Sequence, residues 1–259
     1  MQAGRSAPST EHGRYTVLLI GGYGFFGTLL ARRLGRNPDL HVIIAGRDAA
    51  RARAAADALH AGGAAATLSS AALDVTAPGL ANALIACRPQ VVVHAAGPFQ
   101  QQDYRVAQAC IEVGLHYVDL SDGRAFVAGI ETLHDAATAR DVLVVSGASS
   151  VPALSGAAID RLAGAFERVA GIDIGISPGN RTERGLATMQ AILTYCGAPI
   201  GVWRNGRSES MHGWQGLRRH RYPAPVGARW LACCDVPDLA LMPRRYRGVE
   251  RSSSAPGWS

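Results

Sequence analysis

The stretch Tyr15-Thr16-Val17-Leu18-Leu19-Ile20-Gly21-Gly22-Tyr23-Gly24-Phe25-Phe26-Gly27 decides the fold. Its first six residues are almost wholly apolar and rich in β-branched side chains. A strand buried on both faces of a parallel sheet reads this way. A G-x-G-x-x-G loop follows at once, and residues 28–34 then read as a helix that stops near Gly35 and Pro38. Strand, glycine loop and helix in that order are the context in which the motif marks a dinucleotide site. Gly22 suits the tight turn, Gly24 lets the backbone approach a pyrophosphate, and Gly27 lets helix pack on strand. A diphosphate there accepts hydrogen bonds from free N–H groups at the positive end of the helix. Tyr23, Phe25 and Phe26 complete the loop and are assigned to the same site.

Outward from this stretch the alternation continues. Strands are expected at residues 41–45, 67–75, 91–96, 116–120 and 142–146. Helices are expected at 51–59, 81–86, 104–113 and 129–139. The third strand is the most polar and belongs nearer an edge. Six strands alternating with helices specify an α/β fold with a doubly wound parallel Rossmann sheet. After residue 150 the pattern changes to a linking helix, a strand at 169–176, a helix at 184–195 and a hairpin around Asn205-Gly206. This is a second, smaller mixed α/β domain. The expected organisation is a disordered lead-in at 1–14, the NAD(P)-binding domain at 15–150, the linking helix and second domain at 151–246, and a disordered Ser/Pro/Gly tail at 247–259.

Ligand preference should be set at the end of the second strand, about 20 residues past the glycine loop. An acid there favours NAD, and a basic residue favours NADP. Arg47 occupies that place, and Arg51 lies one helical turn further, so NADP is the expected cofactor. The rival reading makes Asp48 the ribose acid and NAD the cofactor; otherwise Asp48 caps the next helix. Asp74, ending the third strand, is placed to touch the adenine side or to cap a turn. Ala95-Ala96-Gly97-Pro98 end the fourth strand at the carboxyl edge, where small residues let a cofactor lie close.

Composition narrows the chemistry. All 26 basic residues are arginine, so Schiff-base and lysine-base chemistry are excluded. The net charge of +6 is scattered, with no basic run interleaved with aromatics, so nucleic acid is not an expected partner. No apolar run is long enough to span a bilayer and no signal peptide is evident, which makes the cytoplasm the expected location. Cys87, Cys110, Cys196, Cys233 and Cys234 lack metal-ligand spacing and read as buried thiols, with no metal site expected.

Several segments together resemble the saccharopine dehydrogenase-like family and its NADP-binding domain. They are Gly21 to Gly27, Ala45-Gly46-Arg47, Ala95 to Phe99, His116-Tyr117-Val118-Asp119-Leu120-Ser121 and Gly147 to Pro152. Arg184 to Thr188 and Val236 to Leu239 add to them. The resemblance implies an NAD(P)-dependent oxidoreductase acting on a small-molecule substrate, often as a homodimer. Two departures stand out. The saccharopine enzymes use lysine in catalysis and this chain has none, and the chain ends soon after Pro243 to Tyr246 where relatives continue. A frameshift or truncation would give such an ending, and alternatives to catalysis are an NADP-binding sensor, an interaction protein or an inactive homologue.

Hydride chemistry belongs to the cofactor, and the protein supplies position and a proton. Tyr117 and Asp119, toward the carboxyl end of the fifth strand, are the catalytic candidates; a structural hydrogen bond is the alternative for Asp119. His94 reads as a core histidine. Tyr104 either faces the nicotinamide or packs, and Arg184 either holds a substrate carboxylate or lies in solvent.

Overall fold

A computed structural model describes residues 14–177, 179 and 185–258. Residues 1–13 of the expected 1–14 lead-in, and Arg184, lie outside the described residues. The first sheet has six strands: β1 (Tyr15–Ile20), β2 (Leu40–Gly46), β3 (Thr67–Ala72), β4 (Val91–His94), β5 (His116–Asp119) and β6 (Val144–Val145). Their order is β3-β2-β1-β4-β5-β6, the doubly wound order in which the chain reverses beside β1. β1 pairs parallel with β2 on one side and β4 on the other. The polar β3 is an edge strand, as its sequence implies.

Burial explains the continuous apolar run of β1. Leu18, Leu19 and Ile20 are at most 1% exposed, and each such side chain contributes roughly 1.5–3 kcal/mol on burial. Leu19 joins Val42 and Ile44 of β2 in a cluster with Ala31 of helix α1 (Phe25–Leu34) and Ala52 and Ala56 of helix α2 (Ala49–Ala61). The alanines let the helices approach the sheet closely.

Contacts divide the chain into two compact units. One runs to Ala96 and takes in Arg105–Val118 and Ala136–Val144. The other comprises Gly97–Tyr104, Asp119–Asp135 and everything from Val145 onward. The second unit contains β7 (Gly171–Ile176), β8 (Pro199–Arg204), β9 (Arg207–His212), β10 (Arg218–Arg221), β11 (Ala228–Leu231) and β12 (Arg251–Trp258). They form a mixed sheet ordered β10-β11-β12-β8-β9, with β7 pairing β12 in parallel. Its core gathers Ile200, Val202, Cys233, Cys234, Val236 and Leu239. The β8–β9 turn places Asn205 at φ 50 and Gly206 at φ 72, the left-handed pair that an Asn-Gly hairpin supplies.

The chain end differs from expectation. Residues 251–258, read from composition as part of a disordered tail, form β12 between β7 and β8. Strand pairing is made by backbone groups, so a run poor in apolar side chains can still be held in register. Ion pairing adds to it: Arg251 donates to Asp173 of β7 at 2.8 Å. The cysteines also differ in part, since Cys196 is exposed and Cys87 half-buried, while Cys110, Cys233 and Cys234 are buried. Burial pushes the Cys110 thiol up to about 12, so it stays protonated and inert.

Candidate dinucleotide site and a buried aspartate

The glycine loop is built by close approach. Gly21 has φ +79, and a Cβ on it would lie 2.8 Å from Ala96 N. Gly27 packs against the turn so tightly that a Cβ would stand 2.0 Å from Gly21 O. Gly24 N donates to Gly21 O at 2.9 Å and closes the turn. Gly24 is the N-cap of α1 and contributes no side-chain cap, so the N–H groups of Phe25, Phe26 and Gly27 keep no capping side chain. Four N–H groups open each helix without intrahelical partners. An uncapped helix start facing a glycine turn is a cradle for an anion, and a diphosphate fits it. Phe26 is 51% exposed and packs edge-on against Phe25.

Residues 47–51 follow the end of β2. Asp48 Oδ1 accepts from Arg51 N at 3.0 Å, so Asp48 is the N-cap of α2. Its own N–H donates to the Tyr23 hydroxyl at 3.1 Å. Arg51 lays its guanidinium over the Tyr23 ring, 4.7 Å from the centroid. Arg47 is exposed. Asp74 accepts from Thr76 N at 2.9 Å and Thr76 Oγ1 at 2.7 Å, a turn-capping arrangement. Those two bonds hold its carboxyl below the ordinary range, with a smaller contribution from the Arg47 charge. Ala95 and Ala96 approach Gly21, while Pro98 accepts through its carbonyl from Gln102 Nε2 at 2.9 Å. Gly97 and Pro98 belong to the second unit.

The candidates on β5 share one face, and neither opens to solvent. Tyr117 is 1% exposed, and its hydroxyl lies 3.2 Å from Nδ1 of buried His94. Burial pushes the His94 imidazole down to about 4, so it is neutral at physiological pH. Strand alternation turns Tyr117 into the core beside His94. Asp119 is 0% exposed. Its Oδ1 accepts from Ser121 N at 2.9 Å, Gly147 N at 2.9 Å and Ser146 Oγ at 3.0 Å. Its carbonyl accepts from Ala148 N at 2.8 Å. Asp119 therefore ties the loop after β5 to the loop after β6. Tyr104 donates to Phe126 O at 2.9 Å and packs on the Phe126 ring.

One acid escaped the sequence reading. Asp122 follows the buried Ser121 and accepts from Gln100 Nε2 at 3.1 Å. A Ser-Asp-Gly triplet carries the signature of a turn, and only the spatial arrival of Gln100 distinguishes it.

Among the described residues no group of three His, Cys, Asp or Glu side chains could hold a metal ion, and no helix is long and apolar enough to cross a membrane. Residues 17–145 match the family model of the saccharopine dehydrogenase NADP binding domain. A Mycobacterium tuberculosis protein named as a trans-acting enoyl reductase is 32% identical over 142 residues, covering 53% of this chain and 33% of that protein. A trans-acting enoyl reductase of Mycobacterium ulcerans is 28% identical over 148 residues, covering 56% and 35%. The chain spans about a third of the length of these curated relatives. The crystal structure of GenD2 from gentamicin A biosynthesis in complex with NAD aligns over 100% of this chain and 69% of that one, at 18% identity and a TM-score of 0.48.

Proposed function

We propose that this chain, whose residues 17–145 are a saccharopine dehydrogenase NADP-binding domain, is an NADP-dependent oxidoreductase acting on a small-molecule substrate. The observation that carries the reading is the uncapped start of α1 set against the Gly21–Gly27 turn. Gly22, Tyr23, Gly24, Phe25, Phe26 and Gly27 hold the diphosphate, with Ala95, Ala96, Gly97 and Pro98 keeping the carboxyl edge free of bulk. Asp74 serves the adenine side. Arg47 takes the 2′-phosphate by charge-assisted hydrogen bonds, and Arg51, stacked on Tyr23, supports it. Asp48 Oδ1 caps α2, which supports reading this residue as the helix cap rather than the ribose acid.

When bound, the cofactor supplies a hydride. The chain's own work is to bind it, to orient the substrate and to provide a proton. Residues 15–150 are the NAD(P)-binding domain, and 151–246 are the linking helix and second α/β domain. Asp119 is a positioning residue, because its carboxylate fixes Ser121, Ser146 and Gly147. The relatives' names put an enoyl compound first among candidate substrates. The cytoplasm suits its free thiols. A homodimer would cover the exposed Leu154, Leu162 and Phe166.

The test is NADPH oxidation against enoyl thioesters, keto acids and imines. Turnover of one class supports the enzyme. Tight NADPH binding without turnover of any class would instead favour a cofactor-sensing protein.

A further inference from the structure

The second sheet ends in β10, whose four residues, Arg218-Arg219-His220-Arg221, are all exposed. β10 stands last in the strand order, so among the described residues it pairs on one side only, with β11. Both strands lie within the second unit. An edge strand presents unpaired backbone N–H and C=O groups, on which another extended chain can add. The register tells which residues present them. Tyr222 N donates to Gly227 O at 2.8 Å and closes the hairpin. Along an antiparallel pair, hydrogen-bonded and non-bonded residues alternate. His220, opposite Arg229, and Arg218, opposite Leu231, therefore bond across to β11, while Arg219 and Arg221 turn their N–H and C=O groups outward.

Side chains alternate along the same strand. Arg219 and Arg221 share one face, with Trp230 and Ala228 opposite them on β11. Arg218, on the other face, lies 3.8 Å from Asp173, which also takes Arg251 at 2.8 Å. Among the described residues no carboxylate lies within ion-pair distance of Arg219 or Arg221. The two residues that offer free backbone groups are thus also the two whose charge is unanswered. A chain adding antiparallel to β10 sets two of its residues, two positions apart, directly opposite Arg219 and Arg221 and on the arginine face. Charged side chains on an edge keep identical edges apart, and a second β10 would set like charges opposite one another. An acidic chain is attracted instead, since guanidinium matches carboxylate in bidentate bonds.

We propose that the β10 edge is a docking site for an extended acidic segment of a partner protein, which adds antiparallel as a further strand of the second sheet. The segment carries acids at alternate positions, acid-x-acid. Each carboxylate meets Arg219 or Arg221, and the backbone N–H and C=O of the same acidic residue complete the edge. Backbone bonding supplies the strand geometry and charge supplies the choice of partner. The net charge of +6 adds long-range attraction for such a segment. The site lies outside the dinucleotide loop and does not depend on the oxidoreductase reading.

The test titrates the full chain into the fluorescein-labelled peptide TEVEVT and reads polarisation. Saturable binding is expected, weakening as salt rises from about 50 to 200 mM. The neutral peptide TQVQVT should bind wild type roughly tenfold more weakly, as should TEVEVT the exposed-surface variant R219E/R221E. That variant should in turn prefer TKVKVT. Methylating both glutamate amide nitrogens of TEVEVT removes the N–H groups that donate to the Arg219 and Arg221 carbonyls, and should cost roughly tenfold in affinity at unchanged charge. Equal binding of the methylated and unmethylated peptides, or of TEVEVT by wild type and R219E/R221E, overturns the proposal. So does tighter binding of a thymidine oligonucleotide than of TEVEVT at equal salt, or no saturation by about 1 mM peptide. Self-association of the wild type that R219E/R221E abolishes would assign the edge to a second copy of this chain and overturn it too.

Discussion

Replacing Asp119 with alanine removes a carboxylate that three groups share. Its Oδ1 accepts from two backbone N–H groups, those of Ser121 and Gly147, and from the Ser146 hydroxyl, at 2.9–3.0 Å. Asp119 is 0% exposed, so water cannot take over these bonds without opening the structure. A hydrogen bond to a charged group contributes about 1.5–3 kcal/mol, and each donor left buried and unpaired costs about 1–3 kcal/mol. Partial relaxation of the two loops lowers the sum, and a loss of about 3–6 kcal/mol is expected for D119A. That is a large part of the ~5–15 kcal/mol that stabilises a domain. D119N keeps an acceptor oxygen and should lose less than half as much. Urea unfolding followed by circular dichroism measures both. A D119A loss below about 1 kcal/mol, or a D119N loss equal to that of D119A, would refute the assignment of Asp119 as the tie between the two loops.

Other perturbations have equally defined outcomes. His94 has a folded pKa of about 4 against an ordinary value of 6.5, so the unfolded chain binds the extra proton between these limits. Its contribution is whole above pH 6.5 and falls as pH drops toward 4, by up to about 1.4 kcal/mol per unit. Between pH 7 and 5 the wild type should therefore lose about 2 kcal/mol more than H94N in urea unfolding; parallel curves would contradict a neutral buried His94. For Gly27→Val, a side chain starting 2.0 Å from Gly21 O must deform the turn. NADPH-induced protection against thermal unfolding should vanish in that variant, and retained protection would sink the loop assignment. Asp238 is 0% exposed, bonded by Ser155 Oγ at 2.5 Å and raised by burial. A raised carboxyl stabilises below its unfolded pKa and loses that contribution as pH rises through its folded pKa. D238N should thus gain on the wild type between pH 4 and 7, and a constant difference would refute this.

Much of the fold was legible because its signals are local. The apolar run of β1, the polarity that sends β3 to an edge, and the Asn205-Gly206 turn each report a backbone preference set by neighbouring residues. The strand, glycine turn and helix of the candidate site were legible for the same reason, since they are contiguous in sequence. What escaped depends on partners distant in sequence. Tyr117 is read as a candidate from its position near a strand end, yet His94 from a neighbouring strand captures its hydroxyl in the core. Asp119 meets Ser146 and Gly147 across 27 and 28 residues. Asp122 became conspicuous only when Gln100, 22 residues earlier, came beside it. The tail misled for a different reason: strand β12 is held by its backbone against β7, a pairing that side-chain composition does not encode.

Comparative titration of NADPH and NADH against the intact protein measures the proposed NADP binding by the Gly21–Gly27 cradle and Arg47. A 2′-phosphate held by arginine should favour NADPH by roughly 10- to 100-fold, the equivalent of about 1.5–3 kcal/mol for a charge-assisted bond. R47A should abolish most of that preference while leaving NADH affinity unchanged. Tighter binding of NADH than NADPH by the wild type, or no binding of either, would rule out an NADP site at this loop.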